Sequence, residues 1–324
     1  MIAALLSSAA LAVSLGAAPA ASPALPILGF QSDGSPTSLI AQDAAGLGSV
    51  GVDGVDLTGK PGAVSAPVAR DRAQLAAAHA AGLPAVLLVG NWSDRINDFS
   101  EPLAYRTLRS PAAIGKLAAS LSGEVTSEGW DGISVDLESL HARDAAGLVT
   151  LLADLRSDLG PSASLTMCVS NLTSARSYPA NGYDLAGIAA SVSQVVLMAY
   201  DQHGPWEKTP GPVGATRWVT RGLRALETSV PAAQVDLGVA GYGYVWGPGE
   251  RHQLSDTGAR ALVARQGGHA RWVAAVGEWT AKLRNGDVVW WSDARTLALR
   301  EALAARFEVH GLAVWSLGLS DPIR

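Results

Sequence analysis

The chain has 324 residues, 48% of them hydrophobic, and a formal net charge of −5 at pH 7. With no basic block, it is not a chain built to bind nucleic acid. The six histidines (79, 141, 203, 252, 269 and 310) show no metal-ligand spacing, so no metal site is expected, and the single Cys168, in an apolar run, reads as a buried inert thiol.

Residues 1–22 are apolar or small, and Asp33 is the first charged residue. The segment reads as a secretory signal peptide, with small-residue cleavage sites around Gly16–Ala21. No Lys or Arg precedes the apolar run, so an uncleaved anchor is the alternative. Either way the expected location is outside the cell or in the cell wall, with no membrane contact beyond the leader.

From residue 23 onward, strand-like and helix-like stretches alternate. Pro26–Gln31 is a short apolar strand, 38–47 a weak helix, 49–53 a second strand and 66–81 a helix stopped by Gly82. The third strand, 84–91, is apolar throughout, as strands buried on both faces of a parallel sheet are. A helix over 111–128 starts with Pro111. The fourth strand spans 130–138. The helix over 142–159 carries a stripe of Leu148, Leu151, Leu152, Leu155 and Leu159 and ends at Gly160-Pro161. Then come a strand at 164–170, a short helix at 184–191, a strand at 194–200, a helix at 216–228 and a strand at 235–241.

An irregular block follows from Tyr242 to Trp291. It holds a helical stretch (256–265) and two strand-like pieces around Asn285-Gly286, a hairpin turn signal. It reads as a small α+β insertion, at about 247–291, on the loop after strand seven. A helix over 293–307 and an eighth strand over 311–318 complete the series, with no eighth helix after it. Eight strands alternating with helices predict an α/β fold, a (β/α)8 TIM barrel. A doubly wound open sheet is the rival. Its Gly-rich dinucleotide loop is not found after the first strand, so no cofactor is expected.

The fourth strand is the informative one. In Asp131-Gly132-Ile133-Ser134-Val135-Asp136-Leu137-Glu138, Ser134, Asp136 and Glu138 share one face, and the apolar residues share the other. Two carboxylates at a strand end must be hydrated, hydrogen-bonded or paired. The strand is either a solvated edge or the seat of catalytic carboxylates at a barrel mouth. Other strand ends carry Gln31, Asn91, Tyr200-Asp201, Tyr242 and Trp315. Singly, Trp315 and Tyr200 suit a core and Asn91 suits a turn. Jointly, acids, amides and aromatics on one rim suit a sugar.

The strand-four stretch resembles the signature of glycoside hydrolase family 18, the chitinase-like family, with acidic residues at alternate positions. Met198-Ala199-Tyr200-Asp201 is similar to its strand-six motif, and Trp315 falls at its strand-eight tryptophan. Further stretches resemble the spore-germination and spore-cortex-lytic branch: Tyr200–Gly204, Pro210–Val213, Tyr242–Trp246, Trp290–Ala294 and Gly311–Trp315. The resemblance covers about residues 25–320. It implies hydrolysis of β-1,4-linked N-acetylglucosamine (GlcNAc) glycans, peptidoglycan or chitin-like, by substrate-assisted retaining catalysis.

In that scheme Glu138 is the general acid/base, Asp136 holds the acetamido N–H and Tyr200 its oxygen. Asp131 supports the strand's start. Asp201, Trp315, Asn91, Tyr242, Gln31 and Ser134 are the expected sugar-binding set. Ser134 departs from the family pattern, which has Asp or Asn there; its hydroxyl can donate one hydrogen bond to Asp136 but adds no charge. The alternatives are a non-catalytic glycan-binding or cell-wall/germination protein on the same barrel, and a barrel hydrolase using the two carboxylates as direct nucleophile and acid.

Overall fold

Eight parallel strands close into a barrel in sequence order: β1 (Ile27–Gln31), β2 (Ser49–Asp56), β3 (Ala85–Gly90), β4 (Gly132–Asp136), β5 (Ser164–Ser170), β6 (Gln194–Met198), β7 (Val235–Ala240) and β8 (Gly311–Trp315). The closing contact is β1 with β8, Ile27 opposite Leu312. The structure is a computed structural model and describes residues 25–32, 34–248 and 250–324. The expected leader, residues 1–22, lies outside the described residues.

Helices surround the barrel: α1 (Ser38–Asp43), α2 (Ala69–Ala80), α3 (Glu101–Leu108), α4 (Pro111–Glu128), α5 (Ala145–Leu159), α6 (Leu185–Ala189), α7 (Thr216–Leu226) and α9 (Ala294–Arg306), while α8 (Asp256–Arg265) packs on the sheet of the insertion. The fold is therefore the (β/α)8 barrel that the alternation predicts. The α5 stripe is buried at Leu148, Leu151, Leu152 and Leu155. It joins the outward-facing residues of the strands, such as Val52, Val89, Ile133 and Val135, in one core between barrel and helices. Inside the barrel a second, smaller core contains Leu28, Phe30, Val86, Leu88, Cys168 and Val196. Cys168 is buried there as a free thiol, and burial pushes it well above its ordinary range.

Three elements differ from the sequence reading. The segment after β3 forms a short hairpin, Trp92–Ser93 with Asp98–Phe99, followed by α3. An eight-residue helix entered through Glu101-Pro102 has too little apolar period to stand out. The insertion also starts earlier than 247. Tyr242–Trp246 is itself a strand, inside a five-stranded antiparallel sheet with 252–255, 288–291, 278–282 and 271–273. The expected turn at Asn285-Gly286 joins two of these strands, with Lys282 opposite Val288.

The third difference is in β2, which runs on through a bulge between Asp53 and Val55. Gly54 sits at the bulge, where a Cβ would come within 2.6 Å of Leu87 Cδ1. The bulge resets the alternation of the strand. Val52 and Val55 face the helices, while Asp53 and Asp56 both face inward and line the central cavity.

Candidate active site

The C-terminal ends of the strands open into a cavity of about 900 Å³, lined by Asp136, Glu138, Tyr200, Asp201, Tyr242 and Trp315 among others. The alternation of β4 explains how the two acids get there. Ile133, Val135 and Leu137 are held in the outer core, so Ser134, Asp136 and Glu138 face the barrel axis. Ser134 is fully enclosed, Asp136 is 7% exposed and Glu138 is half-buried, so the acids emerge progressively toward the mouth.

Glu138 is fixed from two sides. Asn91, just past β3, donates from Nδ2 to the Glu138 carbonyl at 3.0 Å and accepts the Glu138 N–H on Oδ1 at 2.9 Å. Tyr183 donates its hydroxyl to the Leu137 carbonyl at 3.3 Å. Ser139, next along, has φ of 58°, a left-handed conformation costly for an L residue.

Burial raises both acids. Asp136 is pushed up to about 7, first by desolvation and then by the neighbouring charges of Asp53 and Asp56. Desolvation, then Asp136, Asp201 and Asp98, holds Glu138 well above the ordinary carboxylate range. An acid that keeps its proton near neutral pH can deliver it to a leaving group. The buried Asp136 Oδ1 has no hydrogen-bond partner in the protein. Asp136 itself lines the cavity.

Asp201 follows β6 in a left-handed conformation, φ 58°. The residue keeps an exposed edge, but its Oδ1 accepts two phenol hydrogen bonds, from Tyr242 and Tyr244, each at 2.7 Å. Desolvation raises Asp201, and the two phenols oppose that rise. Tyr242 and Tyr244 alternate on one strand of the insertion, so the same face presents both rings. The insertion therefore builds one wall of the site. Trp315 packs on Phe30 at 5.4 Å between ring centroids, and the bond to Ser316 is a cis peptide.

Four of the expected residues are not among those that line the cavity. Asp131 is at the start of β4, the opposite end of the barrel. Its Oδ2 is 2.9 Å from His79 Nε2 and accepts the Ala85 N–H at 2.7 Å, so it splices α2 to β3 and β4. Gln31 is fully buried and donates to the Pro36 carbonyl at 2.8 Å, pinning the loop after β1. Asn91 is fully buried and spends its amide on Glu138 rather than on a sugar. Ser134 turns to its neighbour in the β5 register: its Oγ accepts from Thr166 Oγ1 at 2.9 Å and lies 3.9 Å from Cys168 Sγ.

The sequence reading missed the acids of β2. Asp53 and Asp56 line the same cavity as Asp136, and Asp56 Oδ1 also accepts the Trp92 N–H at 2.9 Å. A strict period-two reading ends the strand at Asp53, and Gly54 was the one signal for a bulge. Among the described residues one cluster has the spacing of cation ligands, Glu101, His141 and Asp144. Arg143 already occupies it, donating from Nε to Glu101 Oε1 at 2.8 Å.

Comparison with known proteins agrees with this geometry. The family described as "Glycosyl hydrolases family 18" matches residues 68–319. The "Uncharacterized glycosylase YvbX" of Bacillus subtilis is 26% identical over 244 residues, 71% of this chain and 70% of that protein. The "Putative sporulation-specific glycosylase YdhD" of the same organism is 26% identical over 231 residues, 68% of this chain and 55% of that protein. A solved chitinase from Chromobacterium violaceum is 27% identical, covers 92% of this chain and 96% of that one, and superposes with a TM-score of 0.82. With the match covering most of the barrel, the chain belongs to glycosyl hydrolases family 18, and it is a glycosidase.

Proposed function

We propose that the protein cleaves β-1,4-linked GlcNAc glycans with retention, using the substrate's own acetamido group as nucleophile and Glu138 as general acid/base. The observation that carries this reading is the placing of a proton-retaining Glu138 beside Asp136 in the lining of one cavity. Glu138 gives its proton to the glycosidic oxygen as the C1–O bond breaks. The acetamido carbonyl oxygen attacks C1 and forms an oxazolinium ion. Asp136 accepts the acetamido N–H and stabilises the charge that develops there. Tyr200 hydrogen-bonds the acetamido oxygen, Asp201 contacts the neighbouring sugar, and Trp315 floors the pocket. Glu138, now ionised, takes a proton from the incoming water, whose oxygen opens the oxazolinium at C1.

The chitinase name of one solved relative supports a GlcNAc polymer as substrate. A substrate of that kind, peptidoglycan or chitin, places the protein outside the cell or at the wall. Among the described residues no helix is long and apolar enough to cross a membrane.

Product analysis by mass spectrometry on peptidoglycan and on chitin oligomers tests the reading. Wild type releases GlcNAc-ended products, and Glu138→Gln releases none while keeping its circular dichroism spectrum and its glycan binding. Turnover by Glu138→Gln, or a covalent glycosyl-enzyme trapped from wild type, overturns it.

A further inference from the structure

The family match spans residues 68–319, and β1 and β2 precede it. Yet β2 puts two carboxylates into the cavity, which its bulge at Gly54 makes possible. The sheet register places them in layers. Asp53 pairs with Leu88, Leu88 with Ser134 and Ser134 with Thr166. One layer nearer the mouth, Asp56 pairs with Gly90 and Gly90 with Asp136.

The layer directly beneath Asp136 is the layer of position 134. The residue there, Ser134, is fully enclosed and its hydroxyl is engaged by Thr166. The carboxylate in that layer comes from β2 instead. Between β2 and β4 in the upper layer stands only Gly90, where a Cβ would lie 2.7 Å from Asp56 Oδ1. No side chain in that layer separates Asp56 from Asp136, while Asp53 stands one layer lower, level with Leu88 and Ser134. Asp56 has a structural task, holding the Trp92 N–H and pairing through its backbone with Ser65.

We infer that Asp53 is a positioning residue that sets the protonation of Asp136 across the barrel interior, a part that β4 leaves open by carrying Ser134. The inference rests on the function proposed above. Asp53 stands ahead of Asp56 among the charges that raise Asp136.

Other groups also face Asp136. From β2 there is Asp56, from β4 Glu138, from β5 Cys168 and from β6 Tyr200. Tyr183 approaches from the segment before α6, and Asp201 with Tyr242 stands across the mouth. Arg70 and Asp71 of α2 also line the cavity. β3 and β8 contribute only Leu88, Gly90 and Trp315 to the cavity. Glu138 is raised by desolvation and then by Asp136, Asp201 and Asp98, so a change at Asp136 also reaches Glu138.

The test is a titration of the whole protein labelled with 13C at Asp carboxyls. The Asp136 resonance is identified by its loss in Asp136→Asn. Removing a like charge lowers a carboxylate's pKa, so in Asp53→Asn the Asp136 midpoint falls by about one pH unit. In Asp56→Asn it falls by less. In pH–rate profiles on a GlcNAc oligomer, the acidic limb moves down with it. Asp53→Ser carries the same expectations if Asp53→Asn does not fold by circular dichroism. A midpoint that stays put, or that moves further in Asp56→Asn, overturns the inference. A wild type that hydrolyses no GlcNAc glycan overturns the proposed function instead, and the titration still decides the role of Asp53.

Discussion

Asn91 and Glu138 are joined by a reciprocal pair of hydrogen bonds, side-chain amide to backbone, at 3.0 and 2.9 Å. The pair ties the end of β3 to the residue that must aim a proton. Asn91 has no exposure to solvent, so both bonds are made in a dry setting where their loss is costly. Glu138 lies two residues beyond the last ladder residue of β4. Without Asn91 its backbone has no partner on that side.

Asn91→Ala is therefore expected to cut kcat by about 100-fold, through misplacement of the acid rather than loss of substrate contact. KM changes little. Two buried backbone groups lose their partners, so stability falls by about 3 kcal/mol. Asn91→Asp keeps the acceptor and loses the donor, and it is expected to fall between the two in kcat. Steady-state kinetics with urea unfolding checks both. A raised KM at unchanged kcat would instead place Asn91 on the sugar.

Ser134 gives the opposite expectation. Its hydroxyl serves Thr166, not Asp136. Ser134→Ala leaves the Thr166 hydroxyl without its acceptor and is expected to lower stability by about 1 kcal/mol. The pH–rate profile keeps its limbs. Ser134→Asp places a carboxyl in a fully enclosed layer beside Cys168. It is expected to stay protonated and to lower the melting temperature. A shifted acidic limb in Ser134→Ala would return Ser134 to the proton network.

The barrel was legible in the sequence because each strand is an apolar run bounded by turn residues, and α5 shows a full helical stripe. The acids of β4 were legible because a regular strand keeps its period of two. What stayed hidden were places where geometry departs from period. The bulge at Gly54 turns Asp56 inward against the simple alternation. Asp131, by contrast, follows the alternation and still lies at the wrong end, because a strand five residues long separates bottom from top. Asn91 and Gln31 follow strand ends as expected, and their amides hydrogen-bond the protein. Nothing in spacing says that an amide spends its hydrogen bonds on backbone.

The insertion contributes to the site through Tyr242 and Tyr244, whose hydroxyls both donate to Asp201 Oδ1. Those bonds favour the ionised acid, against a desolvation that raises it. In Tyr244→Phe one donor is lost and the Asp201 pKa rises further. Binding that needs ionised Asp201 then fails earlier as pH falls, so the acidic limb of kcat/KM moves up, opposite to the shift expected for Asp53→Asn. KM near pH 5 is expected to rise by about tenfold, the worth of one charge-assisted hydrogen bond. Superimposable KM–pH curves would show that Tyr244 only packs, edge-on, against Trp206 and Trp246.

Stability against pH has its own marker in the insertion. Asp256, first residue of α8, is 1% exposed, and burial pushes it up to about 8, with Asp321 and Asp293 adding to the rise. Its Oδ2 accepts the Asp321 N–H at 3.0 Å, and its Oδ1 is buried without a protein partner. In the unfolded chain the same acid ionises near its ordinary 3.8. Between those two values the folded state binds the extra proton, so this group's contribution to stability falls as pH rises from about 4 to 8. Asp256→Asn keeps an acceptor for the Asp321 N–H and removes the ionisation. It is expected to raise the melting temperature at pH 8 by a few degrees, on the order of 1 kcal/mol, and to leave it nearly unchanged at pH 4. Calorimetric scans at the two pH values decide this, and an equal shift at both would mean that packing rather than the proton sets the effect.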